Sequence, residues 1–353
     1  MDRIEGEGGD AGAIAAAMAA LEEKRNEQTP PRMVDDLFGQ TPREDLDRYG
    51  PEELAALAAE AYAHLRRPRI VDPQAPRHDL VVVDREFSRA ERGLELTVIE
   101  AVNADMPFLL DSTLAEIVDQ GHEPRLVAHP ILAVRRDAQG RLVEVLGPAS
   151  DETPADATRE SLIHIHLDEL DASARERLRA GLERVYADVA VAVADWTPMR
   201  ERLAGAIGRY RETPPPLPRQ EVDEALAFLD WIAADNFTLL GAREYRFPHG
   251  DVAAEPIEGS GLGILRDPSV KVLRRGRELV AMTPEVRAFL QKPSALIITK
   301  ANVKSRVHRR AHLDYVGVKL FSDTGEVMGE LRVVGLFTAS AYTESTDDVP
   351  VLR

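Results

Sequence analysis

Leu94-Glu95-Leu96-Thr97-Val98-Ile99-Glu100-Ala101-Val102-Asn103-Ala104-Asp105-Met106-Pro107-Phe108-Leu109-Leu110-Asp111-Ser112 joins a strand to a helix. Large apolar side chains at Leu94, Leu96 and Val98 alternate with Glu95 and Thr97, the period of a half-buried strand. From Met106 to Gln120 the period lengthens, and Leu109, Leu110, Leu114 and Ile117 fall on one helical face that Gly121 ends. Upstream, Leu80-Val81-Val82-Val83 reads as a strand. Downstream, Arg125 to Arg136 reads as one long strand, and Asp137-Ala138-Gln139-Gly140 as a hairpin turn with glycine placed for positive φ. Leu142 to Leu146 returns, Ser161 to Asp168 alternates as a further strand, and Ala172 to Tyr186 is a helix with Leu178, Leu182 and Val185 on one side. This β-α-β-β-β-α order is the ferredoxin-like βαββαβ plan with one extra hairpin strand. Ala187 to Val193 reads equally as a closing strand or as a continuation of the helix.

On the N-terminal side, residues 1–77 read as a helical segment. Ile14, Met18 and Leu21 form a weak stripe that Pro30-Pro31 interrupts. A firmer helix opens with Pro51 in its first turn, with Leu54, Leu57, Ala58, Ala61 and Leu65 on its inner face. On the C-terminal side, the domain at 78–195 gives way to a connecting helix from Trp196 to Arg211 and the stiff linker Thr213-Pro214-Pro215-Pro216-Leu217-Pro218, together 196–218. Residues 219–353 then read as a helix (Glu221 to Ala234) and a mainly antiparallel sheet. Its strands are Phe237 to Phe247, Gly261 to Arg266, Ala295 to Val303, Leu313 to Phe321 and Glu326 to Ala339. The fold class is α+β, with the second sheet expected to be PAS-like.

Composition narrows the function. Lys and Arg total 44 against 61 Asp and Glu, a net charge of −17, which opposes phosphate backbones and disfavours nucleic acid as a partner. The basic run Lys304-Ser305-Arg306-Val307-His308-Arg309-Arg310 therefore reads as a solvated face or an intersubunit contact. With no cysteine there is no disulfide, thiolate metal site or cysteine nucleophile. The Ala-rich stretch Ala11 to Leu21 is too short to span a bilayer, so neither a membrane nor a secretory route is expected, and the chain reads as soluble and cytoplasmic.

Gly6-Glu7-Gly8-Gly9-Asp10-Ala11 and Gly259-Ser260-Gly261-Leu262-Gly263 imitate dinucleotide fingerprints but lack the strand before or the helix after that would hold a pyrophosphate. His164 and His166 share one strand face, and His308 and His312 stand at helical spacing among arginines. Both pairs read as histidines on half-exposed elements, with no metal site. The candidate ligand site is the strand–helix junction, where Asn103, Asp105, Asp111 and Ser112 gather near free helix N–H groups. The same residues serve the plainer role of helix capping by Asn103 or Asp105.

The run Asn103 to Ser112, followed by Ala128-His129-Pro130-Ile131-Leu132-Ala133-Val134-Arg135-Arg136-Asp137, resembles the start of the large bacterial NAD-specific glutamate dehydrogenases. So do Phe228 to Gly241, Thr299 to Ser305 with Leu313 to Lys319, and Gly335 to Thr343, in family order. The resemblance implies an N-terminal region with an ACT-like and a PAS-type domain, and a catalytic domain that follows beyond Arg353, so that this chain is an inactive fragment. No substrate lysine or dinucleotide glycine of the family has a counterpart here. NAD is therefore expected only in the parent enzyme, with no cofactor and no catalytic residue in this chain. The expected roles are sensing of an amino-acid effector and homo-oligomerisation, the alternative being an autonomous small-molecule sensor.

Overall fold

The computed structural model describes residues 11–23, 29–69, 79–87, 94–247, 254–270, 272, 294–343 and 350. The chain divides into two compact units, residues 1–186 and 187–353. The glycine-rich run at 6–11 falls almost wholly outside the described residues.

Four helices open the first unit: α1 (Ala11–Glu23), α2 (Met33–Phe38), α3 (Arg43–Leu46) and α4 (Pro51–Leu65). They are followed by β1 (Asp79–Phe87), β2 (Leu94–Ala104), α5 (Leu109–Asp119), β3 (Leu126–Ala128), β4 (Ile131–Arg136), β5 (Leu142–Pro148), β6 (Thr158–Asp168) and α6 (Ala172–Ala194). The sheet is antiparallel throughout, in the order β1-β2-β6-β4-β5, with β3 also on β6. The expected single strand from Arg125 to Arg136 is two. Pro130 has no N–H to give a ladder, so pairing with β6 lapses at His129-Pro130 and resumes at Ile131. Residues 187–193 continue α6 rather than forming a strand. The edge position beside β2, which a closing strand would take, is already filled by β1.

Every residue of β6 from Glu160 to Leu167 is buried, so both faces of the sheet are covered. Period-two alternation sends Leu96, Glu100 and Val102 of β2, and Leu162, His164 and His166 of β6, to the same face. There Ile14, Leu21, Met33, Leu37, Phe38, Leu54, Leu57 and Leu65 of the N-terminal helices close one apolar core with Leu96, Val102, Leu132 and Leu162. The opposite face carries Ile99, Ile163, Ile165 and Leu167, leaving α5 and α6 to cover it with Ile117, Leu178, Leu182 and Val185. Thr113 of α5 and Tyr186 of α6 join those helices by a 3.0 Å hydrogen bond.

The second unit holds α7 (Trp196–Glu212), α8 (Arg219–Trp231), a π-turn (Ile232–Asn236), β7 (Phe237–Arg246), β8 (Glu255–Pro256), β9 (Leu262–Gly263), β10 (Leu296–Lys304), β11 (His312–Phe321), β12 (Val327–Phe337) and α9 (Ala339–Thr343). Its antiparallel sheet runs β10-β11-β12-β7-β8, with β9 on β7. The expected strand from Gly261 to Arg266 shrinks to Leu262–Gly263. Gly263 takes φ 57 and donates its N–H to Asp195. No helix follows the Gly259–Gly263 run within residues 264–270. One sheet face packs Val316, Val318, Leu331 and Val333 on Leu203, Ile207 and Leu229 of α7 and α8. The other buries Glu330, which accepts from Lys319 Nζ (2.9 Å), Tyr315 Oη (2.6 Å) and Arg332 Nε (2.6 Å).

His308 and His312 do not share a helix. His308 lies in the β10–β11 turn at φ 69. The basic run around them is not a solvated face either. Arg306 pairs with Asp188 at 2.7 Å, and Arg309 and Arg310 donate to the carbonyls of Phe337 and Ser305. No helix among the described residues is long and apolar enough to cross a membrane.

The β4–β5 turn offers a direct check on the sequence reading. Gly140 has φ 75, and a Cβ there would collide with the carbonyl of Arg69. Gly140→Ala is expected to cost about 1–3 kcal/mol and to lower the melting temperature by several degrees in calorimetry.

Candidate functional site

Where β3 breaks into β4, a cleft of about 450 Å³ opens between that edge of the sheet, α2 and the start of α5. Its walls are Asp35, Asp36, Leu37, Leu110, His129 and Ile131, among others. Arg32 fixes α2 beside it, binding Asp36 at 3.1 Å and donating to the carbonyl of Leu146 on β5 at 3.2 Å. His129 Nε2 sits 2.8 Å from Ser161 Oγ. Burial pushes the His129 imidazole below its ordinary value, against the opposing pull of Asp105 and Asp111.

The four residues of the predicted junction divide. Asp105 and Asp111 both bear electrostatically on His129, and Asp105 is held by Arg159 at 3.1 Å. Asn103 stands opposite Ser161 in the β2–β6 ladder; it is buried, and its Nδ2 has no hydrogen-bond partner. A buried amide donor left over in this way calls for a reason. Ser112 is wholly buried in α5 and lines no cleft. Neither Asn103 nor Asp105 caps the helix: α5 begins only after Phe108, which takes the left-handed conformation at φ 72 with no side-chain cap. His129 was not singled out from the sequence. Its signal was its place before Pro130, where a strand must lose its ladder.

Beneath α2 lies a second arrangement. His164 and His166 are fully buried rather than half-exposed. They belong to a continuous chain of polar contacts. Tyr49 Oη is 2.6 Å from His166 Nδ1, and His166 Nε2 is 2.8 Å from His164 Nε2. His164 Nδ1 and His64 Nδ1 each lie 3.1 Å from one oxygen of Glu100, and His64 Nε2 lies 3.2 Å from Asp79. Burial alone would raise the Glu100 pKa. The two imidazoles bonded to it overcome burial and hold the carboxyl well below the ordinary carboxylate range. Burial, reinforced by His164, keeps His166 well below the ordinary histidine value. The groups form a line rather than a shell, and among the described residues no set of three or more histidines and carboxylates is arranged to hold a metal.

Residues 33–182 match the family model described as the glutamate dehydrogenase ACT1 domain, so the match takes in α2 to α4 as well as the sheet. Over 324 residues, 90% of this chain, the sequence is 32% identical to a protein of Halomonas elongata named NAD-specific glutamate dehydrogenase. Over 262 residues, 73% of the chain, it is 32% identical to a Pseudomonas aeruginosa protein of the same name. These matches cover 19% and 16% of the relatives' own lengths. The resemblance read from the sequence blocks is borne out: the chain is similar to the N-terminal part of the NAD-specific glutamate dehydrogenases.

The two kinds of ion pair in the first unit should respond differently to mutation. Glu100→Ala, which strands two buried imidazoles, is expected to cost about 3–5 kcal/mol in denaturant unfolding. Arg125→Ala, at the exposed Arg125–Asp168 pair, should change stability little.

Proposed function

We propose that this chain, similar along most of its length to the start of the NAD-specific glutamate dehydrogenases, is the regulatory and oligomerisation region of such an enzyme. The catalytic work of the whole protein, oxidative deamination of L-glutamate to 2-oxoglutarate and ammonia with NAD, then belongs to chain beyond this region, in the cytoplasm. In this reading residues 78–195 are the ACT-like domain and residues 219–353 the PAS-type domain, joined through 196–218. The strands at the sheet margins, β1, β5 and β10, would serve subunit contacts.

The cleft beside α5 is the observation that carries the sensing role. Its walls combine apolar side chains with acidic groups, among them Leu37, Leu110, Ile131 and Asp35. Asp105 and Asp111 stand close enough to His129 to act on it electrostatically. An amino acid suits such a place: its ammonium finds carboxylates and its side chain finds the apolar wall. The carboxylate would be received at the start of α5, whose N-cap residue Phe108 makes no side-chain cap. Asn103 keeps a spare amide donor on β2 but, being buried, is not among the cleft's walls. Ser112, being wholly buried, has no part in this reading.

Calorimetric titration with the common L-amino acids is expected to show binding of at least one of them at or below millimolar concentration. Asp111→Asn combined with His129→Ala should weaken that binding at least about tenfold, the loss of one good polar contact. If no amino acid binds the unmodified chain at millimolar concentration, the sensing role is lost; a monomer at high concentration in sedimentation would remove the scaffold role. The isolated chain should reduce no NAD with glutamate, and measurable turnover would overturn the assignment of chemistry to chain beyond it.

A further inference from the structure

We propose that the buried chain Tyr49–His166–His164–Glu100–His64–Asp79 is a proton-linked tie that seats α2 and the turn before α4 on the sheet, so that proton uptake loosens one wall of the cleft. Its bearing on ligand binding rests on the reading of that cleft as an effector site. The tie itself stands on geometry alone.

Each contact in the chain crosses from one element to another or links neighbours on one strand. Tyr49 lies in the turn before α4, His64 in α4, Asp79 on β1, Glu100 on β2, and both His164 and His166 on β6. The contacts admit two proton arrangements. In one, the Tyr49 hydroxyl donates to His166 Nδ1, His166 Nε2–H donates to His164 Nε2, and His164 Nδ1–H donates to Glu100. In the other, the histidine pair holds one proton more. His166 then donates from both nitrogens, Nδ1–H to the Tyr49 oxygen and Nε2–H to His164 Nε2, while His164 Nδ1–H still donates to Glu100. Taking up that proton reverses the polarity of the Tyr49–His166 bond and places a positive charge on His166, in a site shut off from water.

Among the described residues, His164 and Glu100 act electrostatically on His166, and Arg48, Asp45 and Glu53 act on Tyr49; His64 and Asp79 continue the chain beyond Glu100. β3 sets Leu126 opposite His166, and α2 sets the Phe38 ring edge-on to His164 at 5.8 Å. Glu100 already accepts from both His164 and His64, so it is not a free counter-charge for a proton on His166. The closed form therefore resists protonation, and any opened form in which the ring meets water accepts it near the ordinary value of about 6.5. His166 has a depressed value when closed, so its share of the closed-state stability is present above about pH 6.5 and is lost as pH falls below. Glu100 acts in the same sense, but only below its ordinary value near 4.5.

A single proton cannot expel the whole helical layer, whose apolar side chains share a core with the sheet. α2 is the element small enough to yield. It has six residues; Phe38 rests on the relay, while Asp35, Asp36 and Leu37 line the cleft. The coupling thus runs through one short helix with a face on each feature.

Hydrogen exchange on the full chain tests the tie. Protection of amides in residues 33–65, corrected for intrinsic rate, should fall roughly tenfold between about pH 7.5 and 5.5, the effect of one pKa unit of linkage. The paired variant Tyr49→Phe with His166→Leu removes both ends of one bond and leaves His164 Nε2 as the one group without its former partner, the cost of a single buried acceptor, so it should fold. It should abolish this step, whereas Tyr49→Phe alone should keep the step at a lower overall protection. A step that persists in the paired variant, or no step in the unmodified chain, overturns the proposal. Amino-acid calorimetry at the two pH values separates the readings. Affinity that falls with the exchange step supports the coupling, and pH-independent affinity beside an intact step refutes it. No binding at either pH, with the step intact, removes the effector site and leaves the tie.

Discussion

The first unit depends on one carboxylate. Glu100 sits on the buried side of β2, where alternation calls for an apolar side chain, and it is tolerated only because both of its oxygens face imidazoles. A buried ion network of this kind need not add stability over an apolar core of the same shape. What it adds is directionality. Leucine at position 100 would accept helices α2 and α4 in many registers, whereas a carboxylate bonded to His64 and His164 accepts one. The helical layer and the sheet are therefore keyed to each other by hydrogen bonds set within a shared apolar core.

That arrangement explains why the order of elements was legible in the sequence while the layering was not. Apart from the two-residue β8, and with β3 and β4 read as one, the strands of both sheets and helices α4 to α8 follow from period and punctuation, because hydrophobic spacing reports which face of an element is buried. It does not report what buries it. His164 and His166 looked like the polar side of a half-exposed strand, since polar side chains at alternate positions normally meet water. They point inward because α1 to α4 lie over that face, which is a long-range fact absent from any local window. The ends of elements were misread for local reasons. Pro130 splits a strand within an apolar run, and the β1 pairing removes any need for a closing strand after α6.

The second unit shows the same device with the opposite sign. Glu330, fully buried on β12, gathers Lys319, Tyr315 and Arg332, with the Arg332 guanidinium 3.6 Å over the Tyr245 ring. Here the excess charge is positive, and aromatic faces and phenol oxygens take the place of imidazoles. Both sheets thus pack a mainly apolar face against helices and bury a hydrogen-bonded ionic centre on the other, between β2 and β6 in the first unit and within the β11–β12 hairpin in the second.

The candidate site was half legible for a related reason. The strand–helix junction was marked in the sequence, and in the structure Asp105 and Asp111 act electrostatically on His129, which lines the cleft. It was the backbone that moved the details. Phe108 holds a left-handed conformation that costs a bulky residue about 1–3 kcal/mol, and it persists because Leu109, Ser112 and Thr113 immediately after it are buried. That bend starts α5 three residues later than the apolar period suggests. It denies Asn103 and Asp105 a capping role and turns Ser112 into the core. A helix start left without a side-chain cap, beside a strand broken by proline and a histidine held neutral by burial, is a costly combination for a scaffold. It is an economical one for a surface that must receive a small charged ligand.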